Sequence, residues 1–283
     1  MSSASPGHET GASPSVESTR FHALRRARVT SPTGPLALVN TQWVDGEQPI
    51  WGVAGVWAPT PAGVSGLTVT ARAADGVTVD DVLVDGTALV AGDDAMTPGR
   101  VSFAGGATGT VIANDDGSSY ALRVWDSRSD AATAFGSIDA YPYDPSWVVT
   151  AEFVTTEPGT EIDIRHQKDL DLSRPKPLPG LIRFRRDDVD YELAAFPSGD
   201  RDRLQLVFAD GTTGDTTYSV GRFLFPTPSP DGTILLDFNR AVLPPCAFSY
   251  QFNCPIPPAQ NRLRVRVEAG EKNVLDRSGA LLH

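Results

Sequence analysis

Between residues 244 and 258 the chain packs five prolines and both of its cysteines: Pro244-Pro245-Cys246, then Cys254-Pro255-Ile256-Pro257-Pro258. Proline has no N–H to give a helix or a central strand, and its ring pushes the preceding residue into extended geometry. The segment can therefore be neither helix nor interior strand. It must be a stiff, irregular loop whose backbone groups find partners outside regular ladders. Just before it stand Leu236-Asp237-Phe238-Asn239-Arg240, and just after it Asn261 and Glu271. Stiff loops carrying polar side chains are a common way to build a site, so these residues are the first candidates for function.

The rest of the chain is a run of short apolar segments split by turn residues. In the first half, 36–39, 67–70, 77–79 and 82–84 read as strands, with Asp85-Gly86 as a hairpin-type turn signal. In the second half, 148–154, 161–165, 181–185, 191–196, 204–208, 222–225, 233–237 and 262–267 do the same. Residues 166–180, with Pro175, Pro177 and Pro179, read as a long loop. One helix is expected, over 18–29, with Ser18 as its cap and Phe21 and Leu24 on one face; it should dock on the first domain. The expected fold is all-β: two packed β-sandwich or partly closed barrel domains with a short N-terminal helix. The expected divisions are a disordered tail over 1–19, one β domain over 20–130, a second over 131–272 that includes the Pro/Cys loop, and a tail over 273–283.

The chain has 283 residues and a net charge of −11, 24 basic against 35 acidic side chains. An acidic surface repels phosphate, so nucleic acid and anionic membranes are poor partners. No run approaches the ~20 apolar residues of a membrane span, and the first residues lack the apolar core of a secretion signal. The expectation is a cytoplasmic protein whose two cysteines live in a reducing compartment.

Two blocks of sequence resemble a known family of bacterial and archaeal proteins, the domain of unknown function numbered 1684. The first is Phe208-Ala209-Asp210-Gly211-Thr212-Thr213-Gly214 with Thr217-Tyr218 and Gly221-Arg222. The second runs from Asp237-Phe238-Asn239-Arg240-Ala241 through Pro244-Pro245-Cys246-Ala247, Cys254-Pro255 and Pro257-Pro258 to Asn261-Arg262-Leu263 and Ala269-Gly270-Glu271-Lys272. Weaker similarity extends back through Arg123, Asp126 and Phe135-Gly136 to Gly34-Pro35-Leu36. Where the family commonly has Tyr-Asn before Pro-Pro-Cys, this chain has Val242-Leu243. The resemblance implies a shared site and no particular reaction.

The first functional reading is a binding module for a small polar or anionic metabolite held by Arg123, Asp126, Asp210, Tyr218, Arg222, Asp237, Asn239 and Asn261. Tyr218 and Arg222, four apart, would share one face of a strand and clamp an anion. Asp237 and Asn239 would share strand parity. The second reading is a hydrolase of unknown substrate, with Asp237 or Glu271 as general base and Arg222 stabilising an anion. The third is a structural or interaction protein, in which Asp210 caps a turn, Arg222 pairs with Asp210 or Asp237, and the carboxamides fix the loop. Cys246 and Cys254 are either packed thiols or a disulfide; the spacing of the four histidines offers no zinc set. No cofactor or metal is expected.

Overall fold

The structure, a computed structural model, describes residues 14–200 and 202–282. It is built almost wholly of strands, as expected, with two helices among the described residues. The chain forms two compact units, and neither is one stretch of sequence. The first contains Arg28–Ser137, Pro244–Cys254 and the residues from Val274 on; the second contains the residues up to Ala27 together with Ile138–Leu243 and Pro255–Asn273. The break after Ser137 lies seven residues beyond the expected boundary at 130. The Pro/Cys loop, expected in the second domain, is divided: Pro244–Cys254 belongs with the first unit.

The first unit is a two-sheet sandwich. One sheet has six strands in the order Leu38–Val44, Tyr120–Trp125, Thr108–Ala113, Val101–Ser102, Thr78–Val79, Val82–Leu83. The other has four: Gln48–Pro49, Val56–Pro59, Leu67–Ala71, Gly86–Val90. Alternation explains the packing. In Leu67–Ala71 the residues Leu67, Val69 and Ala71 are buried while Thr70 is exposed, and the buried set meets Val111, Leu122 and Val124 of the six-stranded sheet around Trp57. The tight turn here is not Asp85-Gly86. It is Asp80-Asp81, with φ of 48° and 67°, joining Thr78–Val79 to Val82–Leu83. Aspartate is among the few non-glycine residues that enter this left-handed region readily. Asp187-Asp188 repeat the device in the second unit.

The second unit has one large sheet of six strands. Its order is Arg222–Leu224, Leu204–Phe208, Val189–Pro197, Gly180–Arg186, Val148–Thr155, Thr233–Asp237. Coil closes its core where a second sheet would otherwise lie: Ile182, Leu193, Leu206, Phe208 and Leu236 pack with Phe238, Ala241, Leu263, Val267 and Ala269. On the outer face, Arg183 and Arg185 sit opposite Glu192 and Asp190 and pair with them.

Several expected elements change. Residues 166–180 are mostly strand, because Glu161–His166 and Asp169–Pro177 form a hairpin in which Pro175 opposes Asp163 and Pro177 opposes Glu161. The two-stranded ribbon has edges to spare, and an edge tolerates proline. Residues 262–267 are not a strand; only isolated pairings, such as Ala209 with Arg262, connect them to the sheet. The helix spans Pro14–Val29, so it starts before Ser18 and takes in part of the expected tail. Residues up to Ala27 group with the second unit and not the first. Leu24 is exposed, whereas Phe21 lies under the Arg240 guanidinium. Residues 1–13 of the expected disordered tail lie outside the described residues. The expected 273–283 tail contains the end of strand Glu271–Asp276 and a bridge from Leu275 to Leu281.

Candidate functional site

The residues expected to bind a ligand fall in both units. Arg123 and Asp126 belong to the sandwich; Asp210, Tyr218, Arg222, Asp237, Asn239 and Asn261 belong to the single-sheet unit. Within the latter, most are occupied in holding coil to sheet.

Arg222 is fully buried. Its Nη2 donates to Asp210 Oδ2 at 2.6 Å and to the Val267 carbonyl at 2.8 Å; its Nη1 donates to the carbonyls of Ala269 and, at 3.3 Å, Glu271. One guanidinium thus supplies the donors that a neighbouring strand would have given to residues 267–271. Asp210 Oδ1 accepts from Thr212 N (2.7 Å), Thr212 Oγ1 (2.6 Å) and Val267 N (3.2 Å), which makes it a capped turn as well as an ion-pair partner. Tyr218 does not share a strand with Arg222, because the strand begins at Arg222; Tyr218 N donates to the Lys272 carbonyl from the preceding turn.

Two asparagines use the same trick. Asn261 Oδ1 accepts from Ala194 N at 2.7 Å, while its Nδ2 donates to Ala194 O at 2.9 Å and Val207 O at 2.8 Å. The strands Val189–Pro197 and Leu204–Phe208 pair only at Phe196 with Gln205 and Pro197 with Leu204. Continuing that register would set Ala194 opposite Val207, so the Asn261 amide fills the gap where the strands part. Asn239 likewise grips Asp144, accepting from its N–H and donating to its C=O, both at 2.9 Å. Asp237 ends its strand, so it does not share strand parity with Asn239, which lies in the 3-10 turn Phe238–Arg240. The Asp237 carboxylate accepts from Asn239 N and approaches Arg240 Nε at 3.2 Å.

Glu271, a candidate base, is fully buried. Arg25 holds both its oxygens, Nε to Oε1 at 2.7 Å and Nη2 to Oε2 at 2.9 Å, and Leu243 N donates to Oε2 at 2.7 Å. Sequence reasoning missed Arg25 as its partner, since 246 residues separate them.

In the sandwich, Asp126 accepts from Arg128 N and lies 3.5 Å from Arg128 Nε at the surface. Arg123 is different: its Nε is shielded from solvent and has no hydrogen-bond partner among the described residues. Burial pulls its pKa below the usual value against the opposing fields of Asp93 and Cys254. Cys246 and Cys254 are both buried, with no disulfide between them.

The open space in the single-sheet unit lies elsewhere. A cleft of about 300 Å³ runs between 162–165 and 256–262. One wall is the ribbon strand with Asp163 and Arg165; the other is Ile256, Pro257 and Pro258 followed by Gln260 and Arg262. The Ile256 N–H donates to the Arg165 carbonyl at 2.8 Å and ties the walls together. Both guanidiniums are exposed and lack an ion pair among the described residues. Arg262 follows the anchored Asn261 directly, so the buried amide fixes the residue that faces the cleft. Proximity in sequence to Asn261 was the one signal for Arg262; Arg165 gave none. A second, shallower hollow of about 590 Å³ in the sandwich is lined by Arg72, Asp75 and Asp85. Its carboxylates are used by backbone N–H groups of Arg72 and Ala73.

Residues 133–272 match the family described as a protein of unknown function, DUF1684. An uncharacterised protein of Haloarcula marismortui, known from a solution NMR structure, is 32% identical; the match covers 49% of this chain and 77% of that one, with a TM-score of 0.41. The chain belongs to the DUF1684 family. The match covers the single-sheet unit's long segments, the Pro/Cys loop and Phe135-Gly136; the weaker similarity read at Arg123, Asp126 and Gly34-Pro35-Leu36 lies outside it. No curated protein matches. No helix among the described residues is long and apolar enough to cross a membrane.

Proposed function

We propose that the single-sheet unit binds a small anionic metabolite in the cleft between 162–165 and 256–262. The observation that carries this reading is the pair Arg165 and Arg262, two guanidiniums without carboxylate partners facing one cleft of about 300 Å³. That volume is at the lower end of small-ligand sites. A planar fork of donors suits carboxylate or phosphate. Pro257 and Pro258 stiffen one wall, so little ordering entropy is spent on binding. Asp163, on the same strand, offsets one charge and favours a ligand that also carries a hydroxyl or ammonium donor.

Binding is favoured over hydrolysis because the candidate bases are committed: Arg25 neutralises Glu271, and Arg240 lies against Asp237. A general base needs a free lone pair facing substrate. The residues first expected to touch ligand then form the scaffold that positions the cleft. Two reduced thiols suit a cytoplasmic setting.

The test is calorimetric titration of the full chain with inorganic phosphate, succinate and a sugar phosphate. Saturable binding of at least one, weakened about tenfold or more by Arg262→Ala and by Arg165→Ala, is the expected result. Thermal stability should stay near wild type in both variants, since both side chains are exposed. Absence of binding across the set, or binding indifferent to both substitutions, would remove the proposal.

A further inference from the structure

Cys246 and Cys254 lie in the Pro/Cys loop of the sandwich unit and have no part in the cleft. Both are buried, and the Cys246 N–H donates to the Cys254 sulfur at 3.3 Å. The residues between them are pinned. Ser249 Oγ donates to the Leu38 carbonyl at 2.7 Å, Gln251 Oε1 accepts from Thr41 N at 3.2 Å, and the Phe252 ring lies 6.4 Å from Trp125. Pro244, Pro245 and Pro255 limit motion at both ends. The Arg123 guanidinium stacks 5.3 Å above Phe252, and its field acts on Cys254. Two cysteines joined by a backbone N–H to sulfur bond, on a loop already closed by other bonds, need little backbone movement to link.

We propose that Cys246 and Cys254 form a redox-responsive pair that closes to an intramolecular disulfide on reaction with a hydroperoxide. The Cys246 thiolate attacks the peroxide oxygen; the O–O bond breaks, and Cys246 becomes a sulfenic acid as the first water leaves. The Cys254 sulfur then attacks the Cys246 sulfur, the S–O bond breaks, and a second water leaves with the Cys254 proton. Two thiols lose two electrons, and hydrogen peroxide is reduced to two waters. In a reducing compartment such disulfides are transient and sensing, not permanent. Closure fixes a loop of nine residues and stabilises the sandwich by constraining the unfolded chain, a rise in melting temperature of about 5 °C.

The test treats the reduced, folded full chain with hydrogen peroxide and reads intact mass and alkylatable thiols after denaturation. Loss of two hydrogens, both thiols protected, a linked Cys246–Cys254 peptide and full reversal by reductant are the expected results. In Cys254→Ser, the same treatment should leave a sulfenic acid on Cys246 that dimedone traps. The idea is overturned if both thiols of the wild-type chain stay alkylatable, if one cysteine takes up oxygen without joining the other, or if only dimers form. The wild-type mass measurement decides even if the variant does not fold.

Discussion

Two arginines, Arg222 in the single-sheet unit and Arg123 in the sandwich, show how differently the same side chain can be held. Arg222 starts a three-residue strand and faces coil whose carbonyls have no ladder; four acceptors meet its two terminal nitrogens. Arg123 sits mid-strand, paired with Thr41 on one side and Thr110 on the other. There the ladder consumes the neighbouring carbonyls. Nε is shielded and without an acceptor among the described residues in both arginines, so the contrast lies in their terminal nitrogens. Supply of free backbone carbonyls, more than burial itself, decides whether an arginine becomes a staple. A unit closed by coil needs such staples; a unit closed by a second sheet does not.

The comparison breaks most plainly if Arg222 turns out to be dispensable. Arg222→Met should cost about 3–5 kcal/mol, because it leaves Asp210 charged, buried and unpaired. Hydrogen exchange, read unit by unit, should show the loss spread over the single-sheet unit while sandwich amides keep their protection. Adding Asp210→Leu should recover part of the loss by removing the stranded charge, though the carbonyls of Val267 and Ala269 remain without their donor. Protection unchanged in Arg222→Met would mean that coil does not depend on side-chain donors.

Asn261→Ala sharpens the same point with a neutral group. It strips partners from the Ala194 N–H, the Ala194 C=O and the Val207 C=O, all in a buried place. A loss of about 2–3 kcal/mol is expected, measured by denaturant unfolding. Exchange at Ala194 should accelerate before that of the paired residues Phe196 and Gln205. Because Arg262 is next in the chain, ligand affinity should fall as well; equal affinity would detach the cleft from its anchor.

Local signals made the strands legible: alternation in 67–70 and 181–185, and the exclusion of regular structure from the proline segment. Strands over 77–79 and 82–84 leave Asp80-Asp81 between them, yet neither that pair nor Asp187-Asp188 reads as a tight turn, because glycine dominates such positions and aspartate at positive φ carries the same geometry with a weaker cue. The ribbon over 166–180 was missed because its prolines imply a loop, and only an edge strand makes them harmless. The polar residues near 210, 222, 239 and 261 stand out in the sequence, and the hydrogen bonds match the third reading, with Asp210 capping a turn, Arg222 paired with it and the carboxamides holding backbone; sequence alone leaves that reading beside the ligand one, since a donor meant for a backbone carbonyl and one meant for a ligand look alike. Long-range partners such as Arg25 with Glu271 leave no local trace. Nor does the grouping of 244–254 with the first unit.

The smallest expected effect belongs to Arg123→Met. Methionine matches much of the aliphatic stem and bends to fill irregular space, so packing on Phe252 is largely kept. What disappears is a half-buried guanidinium whose shielded Nε has no acceptor among the described residues and whose burial depresses its pKa. Replacing a half-buried charge that has no ion-pair partner by an apolar group of similar volume is neutral or stabilising, here by about 0–1 kcal/mol. Thermal unfolding of the sandwich should therefore hold or rise, in contrast to the collapse expected for Arg222→Met. The oxidation chemistry offers a finer readout: without the cation near Cys254, the rate at which peroxide closes the thiol pair should fall while the disulfide still forms. A loss of stability comparable to that of Arg222→Met would show that Arg123 finds an acceptor in solution, and the two arginines would then be alike.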